Sequence, residues 1–85
     1  MRLKIIKSIV LVGSDWLYQL IDAEGNLYYI LTASGYEIIN KKTFVNKHYL
    51  DVLYNGVIIE ATFEEIYDRN IVTSVEKVDF YSKDL

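Results

Sequence analysis

The stretch ATFEEIYDRN, residues 61–70, is where the choice of fold turns. Thr62 and Glu65 have the spacing of a capping box: the Thr62 hydroxyl accepts from the Glu65 amide while the Glu65 carboxylate accepts from the Thr62 amide. With Phe63, Ile66 and Tyr67 on one face, residues 62–69 are predicted to form about two helical turns, capped at the C-terminal end by Asn70. The surrounding chain reads as β structure on both sides.

Upstream, VLYNGVII (residues 52–59) places Asn55-Gly56 between apolar runs. That dipeptide tolerates the positive φ angles of a type I′ turn, so residues 50–61 are predicted to form a hairpin. Downstream, Ile71, Thr73 and Val75 alternate with Ser74 and Glu76, and Val78 and Phe80 then fall out of phase. One extra residue restores the phase, which predicts a β-bulge near Glu76 or Lys77.

The N-terminal half carries three further strands. Residues 3–12 are rich in β-branched side chains, with Leu3, Ile5, Ile9 and Leu11 on one face and Arg2, Lys4, Ile6, Ser8 and Val10 on the other. Lys7 interrupts the first set. Residues 13–15 make a turn, Trp16, Tyr18 and Leu20 alternate with Leu17, Gln19 and Ile21, and residues 22–26 close a hairpin onto residues 27–32.

A helical turn before the last strand is the element order of an SH3-like barrel. The chain is therefore expected to be mainly β: one domain over residues 1–85, a small SH3-like β-barrel of five or six antiparallel strands with one short helix before the last strand. The alternative is an oligonucleotide-binding (OB)-like barrel, which would carry its helix between the third and fourth strands, where residues 33–48 show no helical stripe. Barrel closure in either case removes the exposed edges that make small β proteins aggregate.

Composition narrows the function. The chain has 85 residues, enough for one core and too few for two. Its 52% hydrophobic content can fill that core, and without cysteine it has neither disulfides nor thiolate metal sites. The opening MRLKIIKSIVLVGSDW is broken by Lys7 and closed by Asp15, so it reads as a strand and not as a secretion signal. A cytoplasmic location follows as the expectation, with no membrane association. The frequency of Ile, Asn, Lys and Tyr tilts the reading toward a bacterial or phage source.

No catalytic constellation emerges. The single histidine, His48, stands three residues from Asp51 in a segment read as loop and strand, where that spacing points side chains to opposite faces. No Gly-x-Ser-x-Gly elbow surrounds any serine, and the four glycines are isolated at turns. The densest acids, Glu60, Glu64, Glu65 and Asp68, read as a solvated face. The protein is expected to be no enzyme and to use no cofactor or metal.

Two surfaces remain for binding. The first is the basic and aromatic segment with Tyr36, Lys41, Lys42, Phe44, Lys47, His48 and Tyr49; the second is the acidic set Glu64, Glu65, Tyr67 and Asp68, suited to a basic partner. Residues 1–49 hold six Lys/Arg against four acids and residues 50–85 three against eight, giving a polarity that can steer a charged partner. Single-stranded nucleic acid would stack on tyrosines such as Tyr18, Tyr28 and Tyr36, but a net charge of -3 opposes phosphate binding. The expected function is a non-enzymatic protein-interaction module, a small regulator or inhibitor, with a protein partner or a homodimer. An OB-like single-stranded nucleic-acid-binding protein is the alternative.

Overall fold

The computed structural model describes residues 1–10, 16–31 and 53–85. The described residues form five strands: β1 (Arg2–Val10), β2 (Trp16–Ile21), β3 (Leu27–Leu31), β4 (Ile58–Ile66) and β5 (Arg69–Asp79). They close into a barrel in the order β1-β2-β3-β5-β4, with β4 returning to β1. The small, mainly β barrel read from the sequence is thus present, and it is closed.

Its connectivity is not a meander. β4 lies beside β1, so the order β4-β1-β2-β3 is a Greek key, and β5 is inserted between β3 and β4 to complete closure. Four pairings are antiparallel; β3 and β5 run parallel and meet at Tyr29 and Ile71. The expected all-antiparallel arrangement is corrected at that seam. Side chains reinforce it, since Asn70 Nδ2 donates to the Leu27 carbonyl at 3.1 Å and Arg69 Nη1 to the Tyr29 hydroxyl at 3.3 Å.

The predicted helix over residues 62–69 is a strand and a turn, and among the described residues there is no helix. Residues 58–66 pair with residues 69–79 through the two-residue turn Tyr67-Asp68, both at positive φ (50° and 62°). That is the left-handed pair a type I′ hairpin requires. The segment carried two periods at once. Phe63, Ile66 and Tyr67 suit a helix, whereas Ala61 and Phe63 alternate with Thr62 and Glu64 as a strand does. Two turns of isolated helix are marginal in water, and a nine-residue strand with a partner on each side, β1 over part of its length and β5 throughout, wins. Thr62 caps nothing; its hydroxyl lies 3.0 Å from that of Thr73 and 2.7 Å from that of Ser74. Without that helix, element order no longer favours an SH3-like barrel over an OB-like one.

The Asn55-Gly56 turn forms, closed by Val57 N donating to the Tyr54 carbonyl at 3.0 Å. It is not type I′, because among the described non-glycine residues only Tyr67 and Asp68 take positive φ, while Gly56 stands at 93°. One left-handed residue at the third position is the type II pattern. Leu53 and Tyr54 lie outside any strand, and the chain after the turn bonds instead to β1: Gly56 N donates to the Ile5 carbonyl and Ile5 N to the Val57 carbonyl. The expected hairpin over residues 50–61 is therefore replaced by a β1 pairing, while residues 50–52 lie outside the described set.

Three bulges tune the barrel. In β5, Glu60 opposes Lys77 and Ala61 opposes Val75, leaving Glu76 as the extra residue, at the place the phase change predicted. Thr73 is a second, between the pairs Thr62 with Ser74 and Phe63 with Val72. In β1, Ile6 is skipped between the pairs Ile5 with Leu20 and Lys7 with Gln19. That bulge reverses the expected face of Ile9, which lies opposite outward-facing Leu17 instead of continuing the row of Leu3 and Ile5.

Inside, Leu3, Ile5, Leu20, Ile30, Ile59 and Val72 are fully buried. Tyr28 joins them, meeting the Phe63 ring edge to face at 4.9 Å between centroids and 82° between planes. Its hydroxyl donates to Asp22 Oδ2 at 2.9 Å, and Asp22 Oδ1 accepts from the Glu24 and Asn26 amides. The carboxylate thus ties the β2–β3 turn to the core.

Asp79 performs a similar task at the end of β5, where its Oδ1 accepts from the Tyr81 and Ser82 amides at 3.1 Å each. Ser82, through its side chain and amide, and the Tyr81 amide hold the carboxyl down from 3.8 to about 2. A depressed folded pKa means the contribution is complete above the unfolded value of 3.8 and is lost as the pH falls from there through about 2. In an NMR acid titration the Tyr81 and Ser82 amide shifts are expected to move together with a midpoint near the Asp79 value, and Asp79→Asn should remove that transition. A midpoint at the ordinary carboxylate value would refute the tie.

Candidate functional site

Alternation leaves β2 and β3 with a second, outward face. Tyr18 and Leu20 in β2, and Tyr28 and Ile30 in β3, point into the core, so Leu17, Gln19 and Tyr29 face outward. On most small barrels such a face is polar. Here it is partly apolar, and the β4–β5 hairpin lies against it.

Together these elements enclose an open cleft of about 420 Å³, lined by Leu17, Gln19, Tyr29, Ile66, Tyr67, Arg69 and Ile71. Ile71 is on the outer side of β5, opposite Glu64, yet only 4% exposed. It forms part of an apolar lining together with Leu17 and Ile66. Arg69 lies over the Tyr29 ring, 5.5 Å from guanidinium carbon to centroid, while its Nη1 donates to the same tyrosine's hydroxyl. One cation of the cleft is thereby tied to the ring it covers.

Tyr67 stands at the mouth, 84% exposed. A bulky aromatic at φ 50° is unusual, because its Cβ crowds the following carbonyl and the conformation costs about 1–2 kcal/mol per residue. Asn-Gly at this turn would avoid that cost. Strained backbone of this kind collects at binding and active sites, where a side chain's position matters more than its contribution to stability.

The second surface named from the sequence falls here. Glu64, Glu65, Tyr67 and Asp68 all lie at the tip of the β4–β5 hairpin, with Tyr67 lining the cleft and Glu64 directly across from Ile71. They sit on a strand and a turn, not on a helix face. The first surface, Tyr36, Lys41, Lys42, Phe44, Lys47, His48 and Tyr49, lies outside the described residues, as does the His48–Asp51 pair. Tyr18 and Tyr28, considered for base stacking, are 6% and 3% exposed and cannot stack on a ligand.

Leu17, Gln19, Tyr29, Ile66, Arg69 and Ile71 were not among the binding residues read from the sequence. A signal existed in β2 and β3, where apolar residues occupy both faces, one of which a closed barrel must turn outward. For Ile66 and Arg69 there was none, since a helix over residues 62–69 places them elsewhere, and Ile71 was read only as part of the strand that follows. Among the described residues nine acids face six cations, and no group of three His, Asp or Glu gathers as a metal site would require. No helix among them is long and apolar enough to cross a membrane. Comparison of the chain with protein-family models, with curated proteins and with solved structures finds no match.

Proposed function

We propose that the protein is a non-enzymatic interaction module that binds a protein partner in the cleft between the outer face of β2–β3 and the β4–β5 turn. The observation that carries this reading is Tyr67, held at positive φ at the mouth of an apolar cleft where Asn or Gly would be less strained. Exposed aromatics beside apolar pockets, with charge confined to the rim, are the usual composition of interface hot spots. The absence of cysteine and the residue usage support a small cytoplasmic regulator of bacterial or phage origin.

A second reading has its own support. A five-stranded Greek-key barrel is the OB arrangement, and OB barrels bind oligonucleotides and oligosaccharides on the β2–β3 face beside the β4–β5 loop. This cleft occupies that place, and the Arg69–Tyr29 pair could meet a base. Charge decides against it. A polyanion needs several cations to neutralise its phosphates, and among the described residues the cleft offers Arg69 alone, with Asp68 its neighbour. The likeness is one of fold, which does not fix a ligand.

The test compares wild type with Tyr67→Asn in affinity purification from the native host, alongside fluorescence anisotropy with labelled single-stranded DNA and RNA at low and moderate salt. A partner captured by wild type and lost with Tyr67→Asn, without nucleic-acid binding, is expected. Tight, salt-sensitive nucleic-acid binding abolished by Arg69→Ala would replace this function with the second.

A further inference from the structure

The chemistry of the cleft names its occupant more narrowly. We infer that it takes a linear peptide segment of the partner in which one bulky apolar side chain, of Trp, Phe or Leu, is flanked by lysine or arginine. This rests on the protein-binding reading above and adds the partner's chemistry to it.

Size and lining select the anchor. A volume of about 420 Å³ lies at the lower end of the roughly 300–1,000 Å³ typical of ligand pockets, which suits one large side chain and its immediate neighbour. Leu17, Ile66 and Ile71 offer it apolar contact, and the Tyr29 and Tyr67 rings offer flat faces. The Gln19 amide supplies both a donor and an acceptor for the peptide backbone at the anchor.

The rim selects the flanks. Among the described residues Arg69 is the single cation of the lining, and it is engaged twice by Tyr29, through the ring and through the hydroxyl. The hairpin tip that borders the cleft presents Glu64, Glu65 and Asp68, and Glu65 and Asp68 are exposed. Among the described residues Arg2 lies within 3.5 Å of Glu60 and Asp79, and Lys4 donates to the Lys83 carbonyl at 3.0 Å, so these cations are engaged elsewhere. An acidic flank on the ligand would meet a negative rim and a basic flank a complementary one. The same rim opposes a second copy of this chain docking tip to tip.

The experiment titrates isotope-labelled protein with three probes and follows its amide resonances. One probe is a capped hexapeptide with Trp-Leu at the centre and two lysines at each end; the second carries glutamates in place of the lysines; the third is a single-stranded oligothymidine. The expected result is that the lysine peptide shifts the Gln19, Tyr29, Tyr67 and Ile71 amides and the other two do not. Neutralising the rim with Glu65→Gln and Asp68→Asn, the latter a residue that tolerates positive φ, should weaken the lysine peptide about fivefold, and half-molar salt should do the same. Equal or stronger binding of the glutamate peptide at these amides overturns the inference and leaves the protein-binding function standing. Shifts from oligothymidine alone overturn both. No shift from the lysine peptide at millimolar concentration, or binding indifferent to the rim variants and to salt, also overturns the inference.

Discussion

Tyr28→Ala is expected to destabilise the fold by about 3–5 kcal/mol, the range for truncating a buried aromatic side chain to alanine. The ring is 3% exposed, meets Phe63 edge to face, and lies between the turn of β2–β3 and the barrel interior. Small domains have only about 5–15 kcal/mol in total, so the variant should be partly unfolded under mild denaturing conditions. Phe63, 37% exposed, would also lose its ring partner. Tyr28→Phe isolates the hydroxyl. It keeps the ring and removes only the bond to Asp22, for an expected loss of about 1 kcal/mol.

The same pair of variants makes a pH prediction. Burial first, and the Asp22 carboxylate second, push the Tyr28 hydroxyl above its ordinary value of 10.0. A raised folded pKa means the contribution is complete below the unfolded value and is lost as the pH rises through the folded one. Wild type should therefore lose stability above pH 10 by a step that Tyr28→Phe lacks. Urea denaturation across that range measures both effects. Equal stability losses from the alanine and phenylalanine variants would show that the hydroxyl, not ring packing, dominates.

Tyr67→Asn is expected to move stability and binding in opposite directions. Asparagine accepts positive φ far more readily than tyrosine, and the side chain removed is 84% exposed with little packing to lose. Stability should rise by about 1 kcal/mol, read as a higher midpoint in thermal or denaturant unfolding. Affinity for the partner should fall at least tenfold, the usual cost of removing a central aromatic from an interface. A variant both more stable and fully competent to bind would mean that Tyr67 is a strained turn residue and nothing more.

The strands that were legible in the sequence were those whose alternation had one reading. Trp16–Ile21 is found with the expected bounds because inward Tyr18 and Leu20 are separated by outward residues, and an acidic, glycine-containing turn follows. The Glu76 bulge was legible for the same reason, since the phase of Val75 and Val78 cannot be kept by a regular strand. The Ile6 bulge was not. Ile5, Ile6 and Ile9 are chemically alike, and only the pairing of Lys7 with Gln19 shows which one is skipped.

The hairpin tip was misread because local and distant forces conflict there. A capping box and an i, i+3, i+4 apolar set favour a helix from within the segment, and neither feature records what stands beside it. β5 does, offering residue-by-residue pairing from Ile66 and Arg69 out to Ile58 and Asp79. Those bonds, with burial of Ala61 and an edge contact for Phe63, outweigh one capping interaction worth about 1 kcal/mol. The candidate cleft followed the same rule. Its acids and Tyr67 were visible in the sequence, while its lining was assembled by that pairing.

The sequence by itself determined the class of fold: one small, mainly β barrel, with the β2–β3 hairpin in place and the acids gathered near residue 65. These are properties of short-range alternation, turn chemistry and composition. Tertiary structure alone decided the Greek-key order, the parallel β3–β5 seam, and the conversion of an expected helix into the wall of a cleft. The physical reason is that a strand's hydrogen bonds lie between segments. Their partner is chosen by closing the barrel over a common core, which no local stretch of sequence encodes.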